Sequence, residues 1–196
     1  MLLAPALTLL PAFGHADMAW KNGLGRTAEI ARAPLSGDVF DWRLSIATIA
    51  ADGAFSAFAG CERTLMPIAG GGLALDFADG ARLSAGLFEA LRFAGDVACT
   101  GRLLAGPARD LNVITRRAAA SHSVDLVTMP HVFSTVAVVT FIVAVDEALT
   151  IAGNDGLWRL GFADALRIDG AGAKLQLKAI GSSARAAIVA IAPTRS

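Results

Sequence analysis

Short stretches of this chain alternate between apolar and polar residues, a pattern that predicts half-buried β-strands. Residues 40–46 are the clearest case, because their apolar side chains fall on one face while Asp41, Arg43 and Ser45 fall on the other. Such a polar row either faces solvent on one side of an antiparallel sheet or lines a barrel interior, where it can meet a ligand. The pattern leaves both interpretations open.

Many other stretches have strand character, and turns rich in Gly and Asp separate them. The predicted strands cover residues 27–32, 40–46, 63–68, 73–77, 81–84, 91–93, 97–104, 110–116, 121–129, 134–145, 148–151, 157–160, 165–168, 174–180 and 186–191. The glycines at 70–72 predict a hairpin between the third and fourth of these strands. Helices fit only at 84–91 and 162–166, and both stretches are too short to organise a fold. We therefore predict an all-β sandwich or small barrel.

The length and a break at residues 118–120 suggest two fused halves. We expect a single compact unit over 1–196, in which residues 1–117 carry the distinctive side chains and residues 118–196 are plainer and more apolar. The start of the chain, residues 1–10, is apolar but lacks a basic residue before Lys21, and Pro5 and Pro11 interrupt it. We interpret it as a strand and turn, with a secretory signal as the alternative.

Composition narrows the classes of partner. The 17 basic and 17 acidic residues cancel, and the basic residues form no cluster, so we expect neither nucleic acid nor a membrane as partner. Hydrophobic residues make up 55% of the chain, a surplus compatible with a homodimer or an interaction scaffold. Cys61 and Cys99 lie far apart in sequence and are expected to be reduced thiols.

Motifs for the common catalytic centres are missing from the sequence. His15, His122 and His131 have no metal-ligand spacing, and no serine-nucleophile motif occurs. Residues 23–28 match the dinucleotide fingerprint G-x-G-x-x-G/A. That fingerprint requires a strand before it and a long helix after it, and the prolines at 11 and 34 are incompatible with both, so we reject the match. We therefore predict no metal, no cofactor and no assigned catalytic residue.

The stretch from Trp20 to Ile30 combines polar, aromatic and glycine residues in one turn. Gly23 and Gly25 allow a tight turn whose amides point at an anion, with Lys21 and Asn22 beside it. An ordinary tight loop is the alternative. Trp20 could provide a wall for a ligand.

Polar residues on two predicted strands complete a candidate site. Arg43 can hold a carboxylate through two parallel hydrogen bonds, although a structural ion pair between Arg43 and Asp110 is the alternative. The predicted ligand-binding residues are Trp20, Lys21, Asn22, Gly23, Gly25, Thr27, Arg43, Ser45, Asp110 and Asn112.

These residues occur within motifs that resemble the HutD/Ves family. The resemblance rests on W-K-N-G-x-G-x-T-x-E-I at 20–30, F-D-W-R-L-S-I-A at 40–47, R-T-L-M at 63–66, F-x-G-D at 93–96 and D-x-N-x-x-x-R-R at 110–117. Two residues depart from the pattern, namely Leu24 where a third glycine is common and Leu111 where an aromatic residue is usual.

The resemblance implies a cupin-like fold, a double-stranded β-helix or jelly roll with two barrel-like halves (a bicupin), that lacks the metal-binding histidines of catalytic cupins. It also implies a bacterial cytoplasmic protein that binds a small anionic molecule such as urocanate or formylglutamate and modulates histidine utilisation. The alternative is a metal-free isomerase, hydrolase or lyase that acts on a small carboxylate, with Asp110 or Glu29 as proton carrier.

Overall fold

The computed structural model describes residues 4–20, 22–37, 39–154 and 156–194. These residues form nineteen strands and one short 3₁₀ turn at Ala12–Gly14. The strands are β1 (Ala6–Leu10), β2 (Ala16–Ala19), β3 (Gly25–Ala33), β4 (Trp42–Ile49), β5 (Gly53–Phe55), β6 (Cys61–Ala69), β7 (Leu73–Phe77), β8 (Arg82–Ala85), β9 (Leu91–Ala94), β10 (Cys99–Leu103), β11 (Ala108–Arg116), β12 (Ala120–Thr128), β13 (His131–Ser134), β14 (Val139–Ala144), β15 (Leu149–Gly153), β16 (Gly156–Leu160), β17 (Ala165–Asp169), β18 (Lys174–Ala179) and β19 (Arg185–Pro193). The all-β prediction is confirmed.

The chain divides into two compact units, residues 15–121 and residues 1–14 with 122–196. The sequence placed the first residues in the first half, but β1 pairs antiparallel with β17, with Leu9 opposite Leu166. This pairing gives the backbone groups of the first strand their partners, and it assigns residues 1–14 to the second unit.

The unit of residues 15–121 contains a six-stranded sheet in the order β2-β3-β4-β11-β6-β9 and a four-stranded sheet in the order β5-β10-β7-β8. One end of the space between these sheets is filled by apolar side chains from both, including Ile49, Leu65 and Phe55. The predicted strand at 40–46 is confirmed as β4, and β11 is its neighbour, with Asn112 opposite Ser45.

The register of the six-stranded sheet places the polar side chains in rows. Residues that pair directly across neighbouring strands point to the same face. One row therefore contains Glu29, Ser45 and Asn112, and the adjacent row contains Thr27, Ala47 and Asp110. The alternating apolar residues of β4, such as Leu44 and Ile46, are buried on the opposite face.

The unit of residues 1–14 and 122–196 also contains two sheets, in the orders β1-β17-β14-β19-β12 and β13-β18-β15-β16. Apolar side chains from both sheets, such as Ile142, Leu149 and Leu177, form one core. Every residue of β14 is buried, as the Val-rich sequence indicates. The polar rows of the first unit have no counterpart among the residues of this core.

Several local predictions are wrong. β6 and β7 lie in different sheets, so residues 70–72 connect the two sheets and do not form a hairpin turn. The stretch 134–145 contains the end of β13 and all of β14, which also lie in different sheets. The stretches 84–91 and 162–166, where a short helix was possible, contain no helix. Each combines strand residues with a turn, in which Phe88 and Ala163 have φ values of 66° and 68°. The pattern also missed the short strands β2 and β5.

Across the described ranges, no helix has the length and apolar character needed to cross a membrane.

Candidate functional site

A cavity of about 540 Å³ opens within the unit of residues 15–121, a volume in the usual range for small-molecule sites. Side chains from the six-stranded sheet and from the segment that contains β5 surround it. The lining residues are Met18, Ala19, Trp20, Asn22, Thr27, Arg43, Ser45, Ala47, Ala54, Phe55, Ser56, Phe58, Arg63 and Asn112.

The structure brings most of the predicted ligand-binding residues to this cavity. Six of the ten line it, namely Trp20, Asn22, Thr27, Arg43, Ser45 and Asn112. Gly23, Gly25 and Asp110 do not line it, and Lys21 lies outside the described residues. The polar row at Arg43 and Ser45 therefore faces the interior, whereas the Asp41 side chain is half-exposed and its Oδ1 lies 3.8 Å from Arg116 Nη2.

Trp20 forms one wall of the cavity and is fixed on two sides. Its indole Nε1 donates a hydrogen bond to Thr27 Oγ1 at 2.8 Å. Its ring meets Phe55 edge to face, with 5.7 Å between the centroids. Gly25 makes this packing possible, because a Cβ at that position would lie 3.0 Å from the Trp20 ring and 2.5 Å from the Thr48 carbonyl oxygen.

In the turn that follows Trp20, the backbone amides of Gly23 and Leu24 form hydrogen bonds within the turn itself. The Gly23 N–H donates to the Trp20 carbonyl at 3.0 Å, and Gly23 has a φ of 72°. The Leu24 N–H donates to Asn22 Oδ1 at 3.1 Å. The expected nest of free amides is therefore not formed at Gly23 and Leu24, because the turn itself satisfies these donors.

Arg43 and Arg63 give the cavity its positive charge. Arg43 is partly buried, and Arg63 is only 3% exposed. Neither guanidinium forms an ion pair with a carboxylate in the part of the chain that the structure describes, and the buried Nε of each has no hydrogen-bond partner there. The structural ion pair between Arg43 and Asp110 is therefore absent from the described residues.

Aromatic rings lie beside these two guanidiniums, where a buried arginine would usually have an acidic partner. Arg43 Cζ lies 5.3 Å from the centroids of both Phe40 and Phe58. Arg63 Cζ lies 5.2 Å from Phe58 and 5.1 Å from Phe93. Burial lowers the pKa of both guanidiniums, opposed by Glu29 at Arg43 and by Asp110 at Arg63. Both arginines stay charged at neutral pH, because the ordinary pKa of the guanidinium is so high.

Asp110 and Asn112 bring acceptor groups to the same face of β11. Asp110 is fully buried, and neither of its carboxylate oxygens has a hydrogen-bond partner among the described residues. Burial raises the pKa of Asp110 to about 7, and the charge of Arg63 opposes this shift. Asn112 lines the cavity, and its Oδ1 likewise has no partner within the described ranges. The site thus offers unused donors at the arginines and unused acceptors on β11.

Comparison with known proteins decides the family. The sequence model of the HutD family matches residues 13–187, which is most of the chain. The chain belongs to the HutD family. The resemblance seen in the sequence motifs is confirmed.

Individual relatives agree with this HutD assignment. An uncharacterised 21.2 kDa protein in the hutC 3′ region of Pseudomonas putida is 37% identical over 169 residues, which cover 84% of this chain and 87% of that protein. HutD from Pseudomonas fluorescens superposes with a TM-score of 0.84 at 30% identity, covering 97% of this chain and 100% of that one. A cupin 2 conserved barrel domain protein of Leptotrichia buccalis has a TM-score of 0.58 at 7% identity, covering 97% of both chains. The last likeness concerns the fold alone, and it confirms the cupin-like fold.

Sequence reasoning missed eight of the fourteen described residues that line this HutD site, and Arg63 and Phe58 are the two whose contacts matter most here. Arg63 was noted only as the start of the R-T-L-M motif, although alternation from Arg63 to Leu65 places both on the interior face of β6. Phe58 lies in a loop before β6 that has no period, so no pattern identified it.

The described residues contain no group of three or more His, Cys, Asp or Glu side chains arranged to hold a metal ion. Cys61 and Cys99 are free and buried, and burial raises the pKa of both thiols.

Proposed function

We propose that this HutD-family protein binds a small carboxylate in the cavity, without a metal ion. The observation that carries the proposal is that Arg43 and Arg63 reach the cavity with no acidic partner among the described residues. A buried positive charge without a counter-ion is unfavourable, so a bound anion would stabilise it. The planar guanidinium suits a carboxylate, which can accept two parallel hydrogen bonds from it.

The acceptors on β11 narrow the class of ligand. Asn112 Oδ1 lines the cavity, and the Asp110 carboxyl group is buried two residues further along the same face of β11; neither group has a hydrogen-bond donor within the described residues. A ligand that leaves them unsatisfied would bind less well than one that supplies an N–H. We therefore propose an acid that also carries an N–H group. Urocanate has one on its imidazole ring, and formylglutamate has one on its amide.

The biological role that we propose is modulation of histidine utilisation in the bacterial cytoplasm by sensing such a pathway acid. The family and the hutC-region relative from Pseudomonas putida support this role. A chromosomal Arg43→Ala variant should alter the induction of a histidine-utilisation reporter to the same extent as deletion of the gene. Wild-type induction in that variant would contradict the role.

Calorimetric titration of purified, chelator-treated protein tests the ligand class with three matched probes. Urocanate should bind, and its methyl ester should bind at least about tenfold more weakly because it has no carboxylate charge. Furylacrylate replaces the imidazole by a ring without N–H, and it should lose about tenfold or more. Equal affinity for the acid and the ester would overturn the proposal.

Variants locate the binding site. Arg43→Ala and Arg63→Ala should each abolish measurable urocanate binding, since each removes a charge from the cavity. Arg159→Ala is the matched control, because Arg159 is exposed and lies in the other unit. Full affinity in Arg43→Ala would contradict the proposed site.

A metal-free isomerase, hydrolase or lyase is the second candidate. The observation that favours it is Asp110, which is buried on the interior face of β11, one alternate position from the cavity-lining Asn112, and has no hydrogen-bond partner among the described residues. Burial raises its pKa to about 7, which suits a group that exchanges protons near neutral pH. Incubation of the protein with each acid, followed by chromatography, tests for turnover. Recovery of every acid unchanged would exclude these compounds as substrates.

A further inference from the structure

Phe58 is the aromatic residue that the two cavity arginines share. Its ring centroid lies 5.3 Å from Arg43 Cζ and 5.2 Å from Arg63 Cζ. The Phe58 ring also packs against Phe40, with 6.0 Å between the centroids. Neither guanidinium has an acidic partner in the described part of the chain. Arg63 donates from Nη1 to the Ser56 carbonyl at 3.1 Å, and contact with the aromatic rings helps to fix both arginines without neutralising them.

The sheet register explains why one ring can serve both arginines. Arg43 and Arg63 both lie opposite Ile114, on the two strands that flank β11. They therefore point to the same face, separated by about 10 Å at the backbone, which is twice the spacing of neighbouring strands. A ring placed above Ile114 can contact both guanidiniums, and the loop before β6 supplies Phe58 there.

The loop that carries Phe58 is held from outside the cavity. The Phe58 N–H donates to the Gly95 carbonyl at 2.7 Å, and the Gly60 N–H donates to Asp96 Oδ1 at 2.7 Å. Arg117 donates from Nη2 to Asp96 Oδ2 at 2.7 Å and from Nη1 to the Cys61 carbonyl at 2.6 Å. The Gly60 amide and then Arg117 keep the pKa of Asp96 below its ordinary value.

Gly95 lets the loop approach this closely. A Cβ at Gly95 would lie 2.8 Å from the Phe58 carbonyl oxygen and 3.3 Å from Arg63 Cδ. The motifs F-x-G-D at 93–96 and R-R at 116–117 thus have a physical role, although none of their residues lines the cavity.

We propose that Phe58 is a positioning residue that holds Arg43 and Arg63 in the geometry needed for anion binding, and that Gly95, Asp96 and Arg117 brace its loop. The proposal rests on the proposed carboxylate-binding function. Phe58 acts through the guanidiniums, so its removal should loosen both arginines while the cavity and its charge remain.

Nuclear magnetic resonance of the arginine Nε–Hε groups tests the positioning without any ligand. Protons that lie over an aromatic face are shifted upfield, so the Arg43 and Arg63 signals should both be shifted. Arg32 and Arg167 also lie over rings, so Arg43→Lys and Arg63→Lys are needed to identify the two signals. In a protein that keeps both arginines, Phe58→Leu should move the Arg43 and Arg63 signals toward the chemical shift of exposed arginines. Phe58→Trp should retain the upfield shift. Phe13→Leu is the matched control, because the Phe13 side chain is 93% exposed and lies in the other unit. Unchanged arginine signals in a folded Phe58→Leu variant would overturn the proposal.

Calorimetry then connects positioning to binding. Phe58→Leu should weaken urocanate binding by about tenfold, the effect of losing favourable ring contacts to two cations, and Phe58→Trp should restore most of it. The affinity for the urocanate methyl ester should change less than the affinity for the acid, since the ester does not depend on the charge of the arginines. Asp96→Ala should move the arginine signals in the same direction as Phe58→Leu.

The two experiments separate the two proposals. Signals that depend on Phe58 in a protein that binds none of the acids would support the positioning and overturn the proposed function. Weaker urocanate binding in Phe58→Leu with unchanged arginine signals would overturn the positioning and leave the function standing.

Discussion

The substitution Asp110→Asn gives the sharpest test of the buried interior. Asp110 is fully buried beside Asn112, and its two carboxylate oxygens have no hydrogen-bond partner among the described residues. Asparagine has nearly the same shape and carries no charge at any pH. The substitution therefore removes the titration of this site and leaves its volume almost unchanged.

The pKa of Asp110 sets the size and sign of the effect. Burial raises it from 3.8 to about 7, so the folded state binds a proton more tightly than the unfolded state does. The stability that Asp110 contributes is fully present below pH 3.8 and is lost as the pH rises to about 7. A difference of about three pKa units corresponds to about 4 kcal/mol in the free energy of unfolding.

Urea denaturation between pH 4.5 and 8.5 measures this effect, with tryptophan fluorescence as the probe. Trp20 and Trp42 lie in the same compact unit as Asp110 and report its unfolding. The free energy of unfolding of Asp110→Asn minus that of the wild type should rise by up to about 1.4 kcal/mol per pH unit until pH 7 and then level off. If the asparagine amide changes the free energy of unfolding by the same amount at every pH, the whole curve is displaced and its slope with pH is unchanged.

A flat difference across this pH range would refute the reasoning about Asp110. A difference that falls with pH would have the opposite sign and would mean that the ionised carboxylate is stabilised in the folded state. Asp125→Asn serves as control, because Asp125 is exposed on β12. The rise up to pH 7 is expected only where the buried carboxyl group at position 110 is removed.

Three further substitutions test the packing and the chemistry of the site. Gly25→Ala should lower the free energy of unfolding by about 1–3 kcal/mol and shift the fluorescence of Trp20, because its Cβ would collide with the Thr48 carbonyl oxygen; unchanged stability in urea would contradict this. Leu149→Ala should destabilise the other unit by about 2–5 kcal/mol by leaving a cavity in its apolar core, as measured by thermal unfolding, and a loss under 1 kcal/mol would count against the packing. Arg43→Lys should weaken urocanate binding by about tenfold in calorimetry, because an ammonium cannot form the two parallel hydrogen bonds, and equal affinity would argue against this geometry.

Alternation along the chain and the short stretch that begins at Trp20 each supplied three of the six predicted residues that line the cavity. Because side chains on a strand alternate between faces, Arg43 and Ser45 were grouped on one face, as were Asp110 and Asn112, before any partner strand was known. The structure places β4 beside β11 and brings three of these four residues to the cavity lining. Whether the shared face pointed to solvent or inward depended on the pairing of strands, which the pattern does not encode.

Strand pairing was the main part of the fold that local patterns could not supply. The glycines after β6 resemble a hairpin turn, yet a Cβ at Gly70 would lie 2.3 Å from the Pro107 carbonyl oxygen, so these glycines accommodate a close crossing of another segment. The same limit applies to β1, whose partner β17 lies about 160 residues away in sequence.

The turn at Trp20 shows how permissive residues can mislead. Glycines were expected to aim free amides at an anion, but the amides of Gly23 and Leu24 satisfy acceptors within the turn. The cavity obtains its positive charge from its two arginines and not from these amides. Arg63 lies near the start of an apolar strand, where a charged side chain is commonly exposed to solvent. Its alternation with the buried Leu65 was the signal for the interior face, and the pairing of β6 with β11 places it there.

A crystal structure of the protein with urocanate tests the central claim most directly. We expect density for the ligand in the cavity, with its carboxylate within hydrogen-bond distance of Arg43 or Arg63 and its imidazole N–H directed at Asn112. Urocanate bound elsewhere on the protein, or bound in the cavity with its carboxylate remote from both arginines, would contradict it.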